Sequence, residues 1–92
     1  MDSINLRQAV FTTKFILIEK YPIVFVSHNF DNDWQFLGEQ PPDMADLMIV
    51  SFQNILQYDK SIESILSLPE GFEASREGIE KPWEIIKSDP DE

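Results

Sequence analysis

The side chains most able to do chemistry lie together in residues 28–33. His28 is the only imidazole of the chain, and Asp31 and Asp33 place two carboxylates two residues apart. Carboxylates at positions one and three begin a calcium-binding loop, but Phe36 stands where such a loop needs glycine and Pro42 where it needs a bidentate glutamate. The spacing therefore predicts an ordinary turn, or a contact with a partner, in place of a metal site.

Other catalytic arrangements are missing from the sequence. With no cysteine, the chain has no thiolate nucleophile and no thiolate metal ligand. Its three glycines lack the spacing of a phosphate-binding loop, and no serine lies in a Gly-x-Ser-x-Gly turn. A histidine base would have to be His28, for which we predict a structural role instead. The sequence therefore predicts a protein that is not an enzyme and that uses no cofactor and no metal ion.

The charge of the chain is strongly negative and unevenly distributed. Seven basic and seventeen acidic side chains give a net charge of −10. Residues 29–48 contain five acids and no Lys or Arg, and residues 70–92 contain eight acids and three bases. Such a surface repels nucleic acid and anionic lipid and attracts a basic protein, although it could also serve solubility alone. We therefore expect a protein partner, no nucleic acid and no membrane.

Length and composition predict one domain over residues 1–87 and a flexible acidic tail over residues 88–92. The absence of cysteine fits a reducing compartment. The first residues lack the basic region and apolar stretch of a secretory signal. We therefore predict a cytoplasmic protein.

The clearest secondary-structure signal is the β-branched and aromatic run from Ile23 to His28, which predicts a strand in the interior of a sheet. The Asn- and Asp-rich residues 29–33 predict a turn, after which residues 34–38 return as an antiparallel strand with Trp34 and Phe36 on one face. Both tryptophans, Trp34 and Trp83, are predicted either to fill the core or to anchor a partner.

Weaker patterns complete the prediction. They favour a strand at 7–11, a helix or buried strand within 14–20, an acidic proline loop at 39–43, a buried strand at 47–50, a helical turn at 51–57, a helix at 61–66 capped by Asp59, an edge strand at 72–76 and a strand or turn at 83–86. The fold class is α+β, with an antiparallel sheet of about four to five strands and two to three helices packed on one face.

Four segments, taken in order, resemble a family of small bacterial immunity proteins of polymorphic toxin systems. They are residues 21–26 (YPIVFV), 33–38 (DWQFLG), 58–62 (YDKSI) and 68–76 (LPEGFEASR). The resemblance implies an α+β fold, no catalysis, and neutralisation of a cognate toxin by direct binding in the producing cell. It implies nothing about which residues make the contact.

Charge and resemblance together predict an immunity protein that binds a basic toxin domain, for example a nuclease whose cleft must hold nucleic acid. The predicted contact surface combines Asp31, Asp33, Asp43 and Asp46 with Trp34 as an aromatic anchor. The alternative is a small adaptor or regulatory protein with another partner, or one that pairs with itself as a homodimer.

Overall fold

The structure, a computed structural model, describes residues 5–39 and 46–87. Within these ranges six strands form one sheet in the order β4-β1-β3-β2-β5-β6. The strands are β1 (Ala9–Thr13), β2 (Phe25–His28), β3 (Trp34–Leu37), β4 (Leu47–Ser51), β5 (Phe72–Ser75) and β6 (Glu84–Lys87), and the helices are α1 (Lys14–Leu17), α2 (Phe52–Tyr58) and a 3-10 helix (Lys60–Ile65). No helix among these residues is long and apolar enough to cross a membrane.

The α+β fold class is confirmed, but the sheet is larger than predicted and mixed, not purely antiparallel. The strand pair β1 and β3 is parallel, while the other neighbouring strands are antiparallel. The reason is topological, because the β2–β3 hairpin folds back so that β3 inserts between β1 and β2. In that position β3 pairs antiparallel with β2 and parallel with β1.

The hairpin predicted from the sequence is confirmed. Val26 pairs with Phe36 and His28 pairs with Trp34 in an antiparallel register. The strand β2 lies in the interior of the sheet, between β3 and β5. Trp34 and Phe36 share one face, with their rings stacked 6.0 Å apart.

The core lies between that face and the helices. Phe52 of α2 meets Trp34 and Phe36 edge-on, with ring centroids 5.1 and 5.6 Å apart. Ile55 of α2 and Ile62 of the 3-10 helix are fully buried in the same cluster. Each such side chain contributes roughly 1.5–3 kcal/mol when it leaves water. Packing of the helices on one face thus stabilises the whole sheet.

Local capping explains where two of the helices begin. The Ser51 hydroxyl accepts a hydrogen bond from the Asn54 amide at 3.2 Å, which satisfies a free N–H at the start of α2. Asp59 accepts from the Ser61 amide at 3.0 Å and begins the 3-10 helix, as predicted. The first helix, α1, is confirmed as a helix but ends at Leu17. Its Thr13 makes no side-chain cap, so little stabilises the longer helix that the sequence suggested.

Two further predicted details were wrong. The strand β4 is not buried, since it forms one edge of the sheet and Ile49 is 67% exposed. The strand β5 is not an edge, because β6 pairs with its outer side. Both errors arise because apolar composition reveals a strand but not its place in the sheet. The predicted tail at 88–92 and most of the loop at 39–43 lie outside the described residues.

Candidate functional site: an acidic cleft at one end of the sheet

An open cleft lies where β2 ends and β3 begins, and we call it the acidic cleft. Its walls are the segment before β1, the turn at 29–33 and the end of the 3-10 helix. The carboxylates that line it come from Asp31, Asp33 and Glu63, and no Lys or Arg is among the described lining residues. The cleft therefore attracts cationic groups.

The turn that carries Asp31 and Asp33 is held by its own hydrogen bonds. The Asn29 side-chain oxygen accepts from the backbone amides of Asp31 at 3.2 Å and Asp33 at 3.0 Å. Asn32 adopts a positive φ of 63°, a conformation that asparagine tolerates, and its carbonyl accepts from the Gln8 side chain at 2.9 Å. Since the backbone is fixed in this way, the two carboxylates are presented from a defined loop.

Neither of these carboxylates forms an ion pair with a described Lys or Arg. Asp31 is exposed and Asp33 is half-buried at the mouth of the cleft. Unpaired carboxylates keep their full charge available to a partner. Asp46 and Asp59, by contrast, each form an ion pair, with Lys14 and Arg76 respectively.

His28 forms the floor of the cleft and is held on three sides. Its Nδ1 lies 2.7 Å from the Leu68 carbonyl oxygen, and its Nε2 lies 2.6 Å from the Asn32 side chain. The ring stacks on Trp34 with centroids 4.0 Å apart. Because a carbonyl oxygen can only accept, the Nδ1–H donates a hydrogen bond to Leu68, and Nε2 is bonded to the side-chain amide of Asn32. Both ring nitrogens are thus engaged in structural bonds, and His28 is not free to act as a base in this arrangement.

Trp34 does not form the predicted aromatic anchor. Its side chain is 1% exposed and packs against His28, Phe36 and Phe52. The alternative prediction, a core-filling tryptophan, is the one observed. The pairing of Trp34 with His28 on the covered face of the sheet explains the burial.

The predicted acidic surface is not continuous. Asp33 precedes β3 at the end of the sheet where β1 begins, whereas Asp46 precedes β4 at the end where β1 finishes. The four residue steps of β1 between these ends correspond to roughly 13 Å. Asp46 is also neutralised by Lys14, with Nζ and Oδ1 3.3 Å apart. Asp43 lies outside the described residues.

Sequence reasoning missed two residues, one on the turn and one in the cleft. Phe30 is 63% exposed on the turn next to Asp31, with its ring against Gly71, and does not line the cleft itself. The sequence contained a signal for Phe30, since turns favour Gly, Pro, Asn, Asp and Ser, and a phenylalanine between Asn29 and Asp31 does not stabilise the turn. Glu63 reaches the cleft from the 3-10 helix, on the side away from the buried Ile62, and only the packing of that helix brings it there.

A second charged group is fully engaged in the structure, and we call it the arginine cluster. Arg76, whose side chain is 2% exposed, donates to the Ile23 carbonyl at 2.9 Å, the Ser61 hydroxyl at 2.9 Å and Asp59 at 2.7 Å. Its guanidinium carbon lies 4.3 Å from the centroid of the Trp83 ring. Arg76 therefore pairs with the Asp59 carboxylate, and Trp83 is a partly buried packing residue.

The arginine cluster changes the acidity of Asp59. Burial by itself would raise the pKa of this carboxyl, but hydrogen bonds from Ser61 and Arg76, together with the charge of Arg76, lower the pKa below its ordinary value. Asp59 is thus held ionised as part of the fold. Both charged groups of the cluster, Arg76 and Asp59, thus have a partner within the fold.

Within residues 5–39 and 46–87 no group of three or more His, Asp or Glu side chains is placed to hold a metal ion. The chain matches no protein-family model, and neither the characterised proteins nor the solved structures contain a significant match. The candidate site is therefore judged on its own geometry and charge.

Proposed function

We propose that the protein is a non-enzymatic binding protein that neutralises a cognate toxin by direct contact, as an immunity protein does. The observation that supports this most is the acidic cleft, whose three carboxylates form no ion pair with a described Lys or Arg. The partner would be a basic protein domain, such as a nuclease toxin. A chain with a net charge of −10 would attract it over a long range.

The expected mode of binding follows from the composition of the cleft. Asp31, Asp33 and Glu63 line the cleft with negative charge, and the exposed Phe30, next to Asp31 in the turn, offers apolar area to the same partner. Interfaces with an aromatic centre and a charged rim commonly draw their affinity from the centre and their association rate from the rim. Association should therefore be fast and should slow as salt is added.

The second candidate is a small adaptor or regulatory protein. It is favoured by the exposed apolar side chains of the edge strand β4, which the acidic cleft does not use. A neutral partner that ignores the cleft would support this alternative.

The first test is a pull-down from lysate of the source organism at low salt, with elution by rising salt and identification by mass spectrometry. We expect a basic toxin domain that elutes with salt. A neutral metabolic or regulatory partner that resists salt would contradict the inhibitor proposal. Activity of the toxin in the presence of the purified protein then measures neutralisation directly.

A pair of charge-reversal variants assigns the surface. The cleft variant carries three substitutions: Asp31→Lys, Asp33→Lys and Glu63→Lys. The matched control changes the charge equally at exposed acids near the other end of the sheet: Glu19→Lys, Glu80→Lys and Glu84→Lys. The cleft variant should lose at least about tenfold in affinity, roughly 1.4 kcal/mol, and the control should lose much less. Equal losses would mean that total charge acts and that the cleft is not the contact surface.

A further inference from the structure

The edge strand β4 is free of charge although the chain is strongly acidic. Its residues are Leu47, Met48, Ile49, Val50 and Ser51, and within the described residues only β1 pairs with it. Leu47 is 38% and Ile49 67% exposed. Edge strands of monomeric proteins usually carry charges or prolines that prevent pairing with another strand. This one carries neither.

The backbone of β4 is oriented for further pairing. The Phe52 amide donates to the Gln8 carbonyl at 3.0 Å, which sets the phase of the ladder between β1 and β4. In an antiparallel ladder hydrogen-bonded pairs alternate, so the N–H and C=O of Ile49 point away from β1. The outward N–H of Ser51 is already used by the Asn54 side chain at 3.4 Å. Ile49 is thus the centre of the unpaired edge.

The charge of the chain limits where two copies can meet. Two copies with a net charge of −10 each repel one another, so contact is favoured where acids are absent or neutralised. The strand β4 contains no acid, and its nearest described acid, Asp46, is paired with Lys14 at 3.3 Å. The opposite edge, β6, begins with the exposed Glu84 and offers no such neutral strand.

We propose that two copies of this chain pair antiparallel along β4 about a twofold axis at Ile49. A twofold axis perpendicular to the sheet keeps each face on its own side, so Ile49 lies opposite Ile49 of the partner subunit, and Met48 opposite Val50 of the partner subunit. Every side chain brought together in the strand is uncharged. The two sheets then continue as one, and the apolar face of Ile49 leaves water. A basic toxin would gain no electrostatic attraction at this strand, which is why a second copy fits better.

The test is sedimentation of the purified wild-type chain over a range of concentrations, with Ile49→Lys and Ile86→Lys as a matched pair. Both side chains are exposed, 67% and 56%, and both lie in edge strands, so both variants should fold, as circular dichroism would verify. We expect a wild-type dimer whose dissociation constant rises at least about tenfold in Ile49→Lys and stays unchanged in Ile86→Lys.

Amide hydrogen exchange supplies an independent measurement on the unmodified chain. The Ile49 amide should exchange slowly at high protein concentration and quickly on dilution, because its N–H is bonded only in the dimer. A wild-type monomer at every concentration would overturn the proposal. So would a dimer that Ile86→Lys disrupts and Ile49→Lys does not, or one in which exchange at Ile49 is independent of concentration.

Discussion

At the end of the sheet where β3 begins, Asp31 and Asp33 face water on a turn and no described base pairs with them. Asp59, by contrast, lies against the buried guanidinium of Arg76, which also holds the Ile23 carbonyl just before β2. An aspartate carboxylate thus gives the acidic cleft its negative potential, whereas in the arginine cluster it makes a structural contact. Burial and the presence of a partner, not residue type, decide which role a carboxylate has.

The largest effect is expected from breaking the arginine cluster. Replacing Arg76 by Met keeps apolar volume but leaves the Ile23 carbonyl without its side-chain donor and the Asp59 carboxylate without its positive partner. Removing one partner of a buried pair costs about 3–5 kcal/mol, much of the stability of a domain of this size. Urea denaturation measures the loss.

Two further variants sharpen that result. Arg7→Met removes an exposed arginine that forms no ion pair with a described acid and should change the free energy of unfolding by less than about 0.5 kcal/mol. Asp59→Asn combined with Arg76→Met should recover part of the loss, because no charge is then left unpaired. If Arg76→Met and Arg7→Met unfolded at the same urea concentration, the cluster would have no structural role.

A smaller effect is expected at the turn that supports Phe30. Gly71 has a φ of +86°, and a Cβ there would overlap the Phe30 ring. Gly71→Ala should therefore destabilise the fold by about 1–3 kcal/mol through backbone strain and the displaced ring. The loss should shrink in a Phe30→Ala background, since only strain is then left. Thermal unfolding of the four proteins in this double-mutant cycle separates backbone strain from overlap with the ring. An equal loss of stability in both backgrounds would exclude the ring contact.

The acidity of Asp59 predicts a pH dependence. Its pKa is lower in the folded state than in the unfolded chain, so its contribution to stability is present above the unfolded value of about 3.9. That contribution disappears as the pH falls through the folded pKa. Below about pH 4, Asp59→Asn should therefore lose stability less steeply than the wild type. Urea midpoints at successive pH values measure the two slopes, and parallel slopes would contradict the pairing with Arg76.

The smallest stability effect is expected at the cleft itself. Asp31→Asn and Asp33→Asn remove charges that no described base balances, so each should change the free energy of unfolding by less than about 0.5 kcal/mol. Their effect should appear in the salt dependence of partner association instead. A loss of stability near that of Arg76→Met would show that Asp31 and Asp33 are structural, and would contradict the difference between the acidic cleft and the arginine cluster.

Much of the fold could be predicted because its signals are local. The run ending at His28, the polar turn and the return through Trp34 predicted the hairpin, and its antiparallel pairing is confirmed. Asp59 was recognised as a cap because a short side chain with an oxygen, placed directly before a helix, can accept from a free N–H of the first turn. The position of β3 beside β1 could not be predicted, because the composition of a strand does not specify which strands pair with it.

The site could be predicted in part. The turn acids Asp31 and Asp33 lie at the mouth of the cleft, but Asp46 was grouped with them by sequence distance and lies at the other end of the sheet. Phe30 was visible in the sequence and overlooked in favour of Trp34. Glu63 could not have been found, because its place in the cleft depends on how the 3-10 helix packs against the sheet.

The sequence by itself determined the strong negative charge, the lack of thiol chemistry and the positions of the turns and caps, because these depend on residue type and on neighbours a few positions apart. The tertiary structure alone decided that Trp34 is buried, that Arg76 and Asp59 pair across seventeen positions, and that β4 lies at an edge. Those outcomes depend on which distant segments share a face of the sheet. That choice is made by the packing of the whole core, to which every strand and helix contributes.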